Sequence, residues 1–165
     1  MIAVVSMHMR PAVALALALC ACGDDGFDPN SCKPDGVADI DGMIKGESIG
    51  PFVRAQEVTT GSMIGISLDE VAGACGEVVP TGKHLVFLFC AAPVVGPYMI
   101  ASEQTFHCPT GDVLALIEKN GGEDFAIATS GSLTIDHAGG CADGTYTATF
   151  GLDELNGTFD AVDCR

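Results

Sequence analysis

Tryptophan is missing from this chain, tyrosine occurs only twice, and lysine and arginine together number 7 against 22 aspartates and glutamates. A formal net charge of −15 argues against direct affinity for nucleic acid or anionic headgroups, since both depend on clusters of Lys and Arg. Solubility is the plain reading of the acidic surplus, and cation binding is the functional one. No apolar run reaches the ~20 residues that a membrane-spanning helix needs. No amphipathic helical period is sustained over ten or more residues, which removes helix bundles and crossover-helix folds. The cysteines beyond Cys22 include no Cys-x-x-Cys pair, so a finger-type zinc site is excluded as well.

One apolar stretch does stand out. It runs from Ala12 to Cys22 and is followed at once by Gly23-Asp24-Asp25. Its length of about ten residues behind Arg10 suits the core of an export signal. Leu19-Cys20-Ala21-Cys22 resembles the bacterial lipobox. The resemblance implies cleavage before Cys22, a thioether-linked diacylglycerol on its sulfur and a further acyl chain on its new amino group. Several acyl chains give stable anchoring where one alone is marginal. The plainer alternative is ordinary cleavage nearby, after Ala21 or a little later, releasing a soluble protein. Gly23 stands where, in enteric bacteria, an Asp would retain a lipoprotein in the inner membrane. That resemblance points to the outer membrane, with the lipid on Cys22 as the membrane partner.

The organisation that follows is a signal over residues 1–21, an acidic tether over 22–35 and one domain over 36–165. Gly, Asp and Pro punctuate the tether, with only Phe27 to bury. The domain keeps six cysteines once Cys20 leaves with the signal and Cys22 takes the lipid. An even number suits an oxidising compartment and three disulfides.

From Val37 onward the chain reads as all-β. Ile64, Ile66 and Leu68 alternate on one face of a strand. Leu85 to Cys90 is continuously apolar, as expected of a strand buried on both faces. Pro97 to Ile100 and Phe125 to Thr129 are shorter strands. Asp112 to Lys119 suits either two helical turns or a strand entering a turn at Asn120-Gly121, and strand is favoured. Leu133, Ile135 and His137 alternate against Ser132, Thr134 and Asp136. Thr145 to Phe150 places Tyr146, Ala148 and Phe150 on one face, and Thr158 to Asp163 places Phe159 and Ala161 likewise. With a hairpin tip at Asp153-Glu154, Ala148 pairs with Phe159 and Tyr146 with Ala161, which matches the apolar faces. The same register brings Cys164 beside Cys141. The first pairing expected is therefore Cys141–Cys164, and among the roughly fifteen pairings that six cysteines allow, Cys75–Cys108 is chosen for the rest, leaving Cys32–Cys90. Eight or nine short strands with Gly-rich turns predict a disulfide-bonded antiparallel β-sandwich or a closed β-barrel.

Five segments in this order resemble a group of uncharacterised myxobacteria-like lipoproteins: Gly42-Met43-Ile44-Lys45-Gly46, Ile66-Ser67-Leu68-Asp69 ahead of Cys75, Gly131 to Ile135, Gly144 to Phe150, and Leu155 to Cys164. The likeness spans about Val37 to Cys164 and implies a small exported β domain on a lipid tether. It brings no activity and no catalytic residue.

Chemistry within the domain is sparse. Gly46-Glu47-Ser48-Ile49-Gly50 matches the nucleophile elbow of serine hydrolases, with Asp136 and His137 as partners that could be drawn in. The elbow requires a strand, a turn and a helix, and Pro51 with no helical pattern follows instead. Asp39, Asp41 and Gly42 resemble the middle of a calcium loop, but Val37 and Ser48 occupy two of its ligand positions. Asp35, Asp39, Asp41 and Glu47 could still make an irregular cation site if a turn gathers them. His84, His107 and His137 lack ligand spacing and read as dispersed. Glu123-Asp124 and Asp153-Glu154 read as exposed loop tips, not as catalytic acid pairs. The expectation is a binding or structural module with no cofactor, no metal and no catalytic residue. A divalent-cation module, and less readily a Ser48 hydrolase, are the alternatives.

Overall fold

The computed structural model describes residues 38–165 apart from 78, 109–110 and 121–122. The described residues form eleven strands and no helix. In chain order these are β1 (Asp39–Ile44), β2 (Glu47–Ser48), β3 (Arg54–Thr60), β4 (Met63–Asp69), β5 (Lys83–Phe89), β6 (Gly96–Ala101), β7 (Val113–Lys119), β8 (Glu123–Ile127), β9 (Ser130–His137), β10 (Cys141–Phe150) and β11 (Asp153–Asp163). The ambiguous segment before Asn120 is thus strand β7.

Eight strands close a barrel in the order β3-β4-β5-β7-β6-β9-β10-β11 and back to β3, and β1, β2 and β8 are additions to it. Two of the eight seams are parallel and short. Ile100 and Ala101 of β6 pair with Val113 and Leu114 of β7, and Val162 and Asp163 of β11 pair with Gln56 and Glu57 of β3. The barrel is therefore two four-stranded antiparallel sheets sewn together along both edges, which unites the two architectures expected from the sequence. At each parallel seam one strand also carries an extra partner further along the same edge: β7 takes β8, and β11 takes β1.

Alternation decides what fills the interior. Phe87 of β5 is fully buried, with ring centroids 5.2 Å from Tyr146 and 6.2 Å from Phe159. Leu133, Ile135, Leu155 and Ala161 complete the same core from β9 and β11. The interior of an eight-stranded barrel is narrow enough for side chains to fill, and glycines make space for its largest rings. A Cβ on Gly157 would lie 2.0 Å from the Asp39 carbonyl oxygen and 2.9 Å from the Tyr146 hydroxyl. The continuous run in β5 is explained by its second face, where Val86 and Leu88 pack with Leu116 of β7 on the outer wall.

The β10–β11 hairpin departs from the expected register. It turns at Gly151-Leu152, so Phe150 pairs with Asp153, Ala148 with Leu155 and Tyr146 with Gly157. The pairs Ala148–Phe159 and Tyr146–Ala161 do not form. The shift is four residues, two full pleats, so the same apolar face stays inward. Face matching rejects a slip of one residue and is blind to a slip of two or four. His137 also leaves the Leu133–Ile135 face, because the β9–β10 ladder shifts register between Asp143 and Gly144. A bulge of this kind re-aims the side chain beside it.

The disulfides correct the expected pairings. Cys75 is joined to Cys164 and Cys90 to Cys108, which rules out Cys141–Cys164, Cys75–Cys108 and Cys32–Cys90. Cys164 instead bonds to β3, its amide donating to the Glu57 carbonyl, and its sulfur reaches Cys75 in the β4–β5 loop. Cys141 is itself disulfide-bonded. Residues 1–37, including the signal, the tether, the lipobox Cys22, Cys32 and Asp35, lie outside the described residues.

Candidate functional site

The richest polar assembly sits on the outer wall of β3, β4, β5 and β7, at one end of the barrel. A single rung of cross-strand partners runs Arg54, Asp69, His84, Glu118, continuing to Asp124 of β8. The first three are buried. Because Leu68, Leu85 and Ile117 point into the core, the next residue along each strand must point out. That alternation is why a rung of charges can stand beside a rung of aliphatic side chains.

Asp69 is the hub of this rung. Its Oδ2 accepts from Arg54 Nε at 2.6 Å and from Gln56 Nε2 at 3.3 Å. Its Oδ1 accepts from the Ser67 hydroxyl and lies 2.8 Å from His84 Nδ1. Burial alone would raise the Asp69 pKa, but the bonds from His84 and Ser67 and the charge of Arg54 outweigh it and hold the carboxyl below its ordinary value. The same contact with Asp69 raises the His84 pKa against the opposing effect of burial, and Glu118 adds to the rise. His84 Nε2 is buried and has no hydrogen-bond partner among the described residues.

The β4–β5 loop is laid over this network. Arg54 donates from Nη1 to the Ala74 carbonyl at 2.8 Å and from Nη2 to that of Glu77 at 3.0 Å. Gln56 Oε1 accepts from the Gly76 amide at 3.0 Å. Cys75, between these contacts, carries the bridge to Cys164. A buried Arg–Asp pair with this many additional bonds is fully satisfied, so it fixes the loop and does not strain it.

One rung further, at the barrel mouth, the three described lysines meet. Lys83 donates to the Ser48 carbonyl at 2.7 Å, and both Lys83 and Lys119 contact the Glu47 carboxylate, at 3.2 and 3.0 Å. Lys45 donates to the Phe125 carbonyl at 2.6 Å and lies 4.8 Å from the centre of its ring. Glu70 accepts from the amides of Gly50 and Lys83, both at 3.0 Å. Asp153 accepts from the Lys45 amide at 2.8 Å. Two ammonium groups thus share the Glu47 carboxylate while Glu70 and Asp153 take backbone amides, and the arrangement fastens hairpin β1–β2 across the mouth.

The residues singled out from the sequence are scattered by this geometry. Ser48 lies at the end of a two-residue strand, without the helix a nucleophile elbow needs, and its carbonyl serves Lys83. The three described imidazoles bond elsewhere: His84 to Asp69, His107 to the Thr105 carbonyl and His137 to Asp143. Of the irregular cation set, Glu47 is taken up by two lysines, which lower its pKa through their hydrogen bonds. Among the described residues no group of three or more His, Cys, Asp or Glu side chains is arranged to hold a metal ion.

Arg54, Gln56, Ser67 and Asp69 were not singled out by sequence reasoning. Each lies in a strand where a polar residue reads as solvent-facing, and only the register places them together under a loop. The arrangement orients an imidazole through Nδ1 and leaves Nε2 to take a proton or a cation. Ser67 is not poised as a nucleophile, because its hydroxyl is given to the same Asp69 oxygen that lies against His84. Comparison with protein-family models, curated proteins and solved structures returned no match.

Proposed function

We propose that this chain is an exported lipoprotein, anchored at the outer membrane through lipid on Cys22, whose barrel acts as a binding or structural module. The observation that carries this reading is the state of the cysteines. All five in the described region, Cys75, Cys90, Cys108, Cys141 and Cys164, are disulfide-bonded. Bridges of this density persist in oxidising compartments and are rare where thiols are kept reduced. Export agrees with the apolar stretch before Cys22, and the lipobox resemblance supplies the anchor.

A module that binds or supports, and does not catalyse, accords with the use of the polar side chains. Arg54, Asp69 and Gln56 hold a loop, and Lys83, Lys119 and Glu47 hold a hairpin. The test is fractionation of cells expressing the native chain or Cys22→Ala, with palmitate labelling. Native protein is expected in the outer-membrane fraction and labelled, and the variant unlabelled and released. A variant that remains with the membrane would sink the lipid anchor.

A further inference from the structure

We infer that the β5–β6 loop and the outer face of β6 dock on the lipid bilayer, with Val94, Val95 and Met99 as the side chains that enter the interface. The inference rests on the lipid anchor at Cys22 and adds to it which end of the barrel is held against the membrane. Val94, Val95 and Met99 are 65%, 63% and 65% exposed. The loop is fixed in that posture. The Tyr98 hydroxyl accepts from the Val94 amide at 2.7 Å and donates to the Val94 carbonyl at 3.0 Å, and the Tyr98 ring stands edge-on to the buried Phe89 with centroids 5.2 Å apart. Pro93 is buried beneath the loop, and the Cys90–Cys108 bridge ties its base. The two valines therefore do not fold back onto the core.

Charge and position select a bilayer as the occupant. No charged residue occurs from Leu85 to Ser102, in a chain whose formal balance is −15. Carboxylates pressed against a bilayer lose their water at a cost, and this segment brings none. Gly96 pairs with Ile135, and Ile135 with Gly144, so the loop opens at the end of the barrel where β10 begins at Cys141. Cys141 is disulfide-bonded, and the other four described cysteines are joined to one another. With Cys22 lipidated, Cys32 is the cysteine left to bond it, ten residues from the lipid, a reach of at most about 35 Å. Three apolar side chains hold a free protein to a bilayer only marginally, but a tethered domain meets that bilayer at the effective concentration its tether sets, so a small patch suffices to orient it. A second copy of the chain is the poorer occupant, because two molecules of charge −15 repel each other and a stable dimer takes about 20–30 residues a side.

The absence of tryptophan makes the test direct. Val95→Trp places a single indole on the docking loop, and Leu152→Trp places one on the exposed tip of the β10–β11 hairpin, at the opposite end of the barrel. Each lipidated chain is purified, reconstituted with phosphatidylcholine vesicles with or without brominated acyl chains, and floated on a density gradient. Emission from Val95→Trp is expected to shift to the blue and to be quenched by the brominated lipid, and emission from Leu152→Trp to do neither. Adding Val94→Asp and Met99→Asp to the Val95→Trp chain, at exposed positions, is expected to abolish the quenching while circular dichroism is unchanged and the protein still floats. A floating Val95→Trp chain that is unquenched, quenching equal to that of Leu152→Trp, or quenching that survives the added aspartates would each overturn the docking and leave the anchor standing. A blue shift without vesicles that grows with protein concentration would give the patch to a second copy and overturn it too. A lipid-treated chain that does not float overturns the anchor, and the docking with it.

Discussion

Cys164 is held to the barrel twice over: its sulfur is bonded to Cys75, 89 residues away in sequence, and its amide donates to the Glu57 carbonyl at 3.0 Å. Both contacts fall beside the parallel β3–β11 seam, whose ladder is only two residue pairs long. Its counterpart, the equally short β6–β7 seam, has the Cys90–Cys108 bridge reaching from the end of β5 into the β6–β7 connection. Each place where the two sheets are sewn with little hydrogen bonding is therefore braced covalently.

The two braces should differ in worth. On the chain-entropy account, closing a loop of 89 residues stabilises by about 4–5 kcal/mol and one of 18 residues by about 3 kcal/mol. Replacing Cys75 and Cys164 together by alanine is expected to lower urea stability more than replacing Cys90 and Cys108. Equilibrium urea unfolding of both double variants checks the order. A larger loss from the short bridge would mean that native-state geometry, and not loop closure, sets the contribution.

Much of the fold was legible because alternation is local. Leu133 to Ile135 and Tyr146 to Phe150 announce which faces they bury. The choice between sandwich and closed barrel stayed open, because the parallel seams that close it join residues as far apart as Gln56 and Val162 by two pairs each. The β10–β11 register failed for a related reason: a glycine turn at Gly151 and a tip at Asp153 both leave Tyr146 facing inward. The rung from Arg54 to Glu118 was invisible for want of any sequence period. Its members are 15, 15 and 34 residues apart and meet only when β3, β4, β5 and β7 are aligned.

The Asp69–His84 contact predicts how stability varies with pH. His84 has its pKa raised on folding, so its contribution is complete below the unfolded value of about 6.5 and is lost as pH rises through the higher folded value. Asp69 has its pKa lowered, so its contribution is present above about pH 4 and is lost as pH falls through the lower folded value. The network is therefore at full strength between about pH 4 and 6.5. Urea midpoints should decline from pH 6 to pH 9 in the native chain. His84→Gln should flatten that limb, and an unchanged slope would remove the assignment.

Two glycines should respond to alanine in opposite directions. Gly157 faces the Asp39 carbonyl and the Tyr146 hydroxyl at distances no Cβ tolerates, so Gly157→Ala should cost about 1–3 kcal/mol or more through overpacking. Gly65 has the side chains of Leu88, Val58 and Val86 at 3.5–3.6 Å, ordinary contact distance. Gly65→Ala should be neutral or stabilise by up to about 1 kcal/mol, partly by restricting the unfolded chain. Thermal unfolding of the two variants reads the contrast directly.

Cysteine arithmetic makes a covalent prediction. Cys141 is disulfide-bonded, and the other four described cysteines are bonded to one another. If Cys20 is removed and Cys22 lipidated as proposed, Cys32 is the one cysteine of the mature chain left to pair with Cys141. Peptide mapping of the unreduced protein is expected to recover Cys32 linked to Cys141. A Cys141 peptide linked to Cys20 or Cys22 would contradict both the pairing and the processing expected at Cys22.

Glu57 offers the converse of the Asp69 network. It is 1% exposed at the β3–β11 seam, and neither carboxyl oxygen has a hydrogen-bond partner among the described residues. Arg165 comes within 3.1 Å of Oε2, a contact of charge without hydrogen-bond geometry. Burial accordingly raises the Glu57 pKa, with Arg165 opposing the rise. A carboxyl whose folded pKa lies above its unfolded value of about 4.3 costs stability as pH climbs through that interval, and the cost persists at neutrality. Glu57→Gln removes that cost. It does not strand Arg165, which keeps a hydrogen bond to Asp163 at 2.7 Å and a partly exposed side chain. The variant should therefore equal or exceed the native chain in stability at pH 7 and lose that advantage at pH 3, where the native Glu57 is neutral. A loss of more than about 1 kcal/mol at pH 7 in urea unfolding would show that the Arg165 contact outweighs the desolvation of the acid.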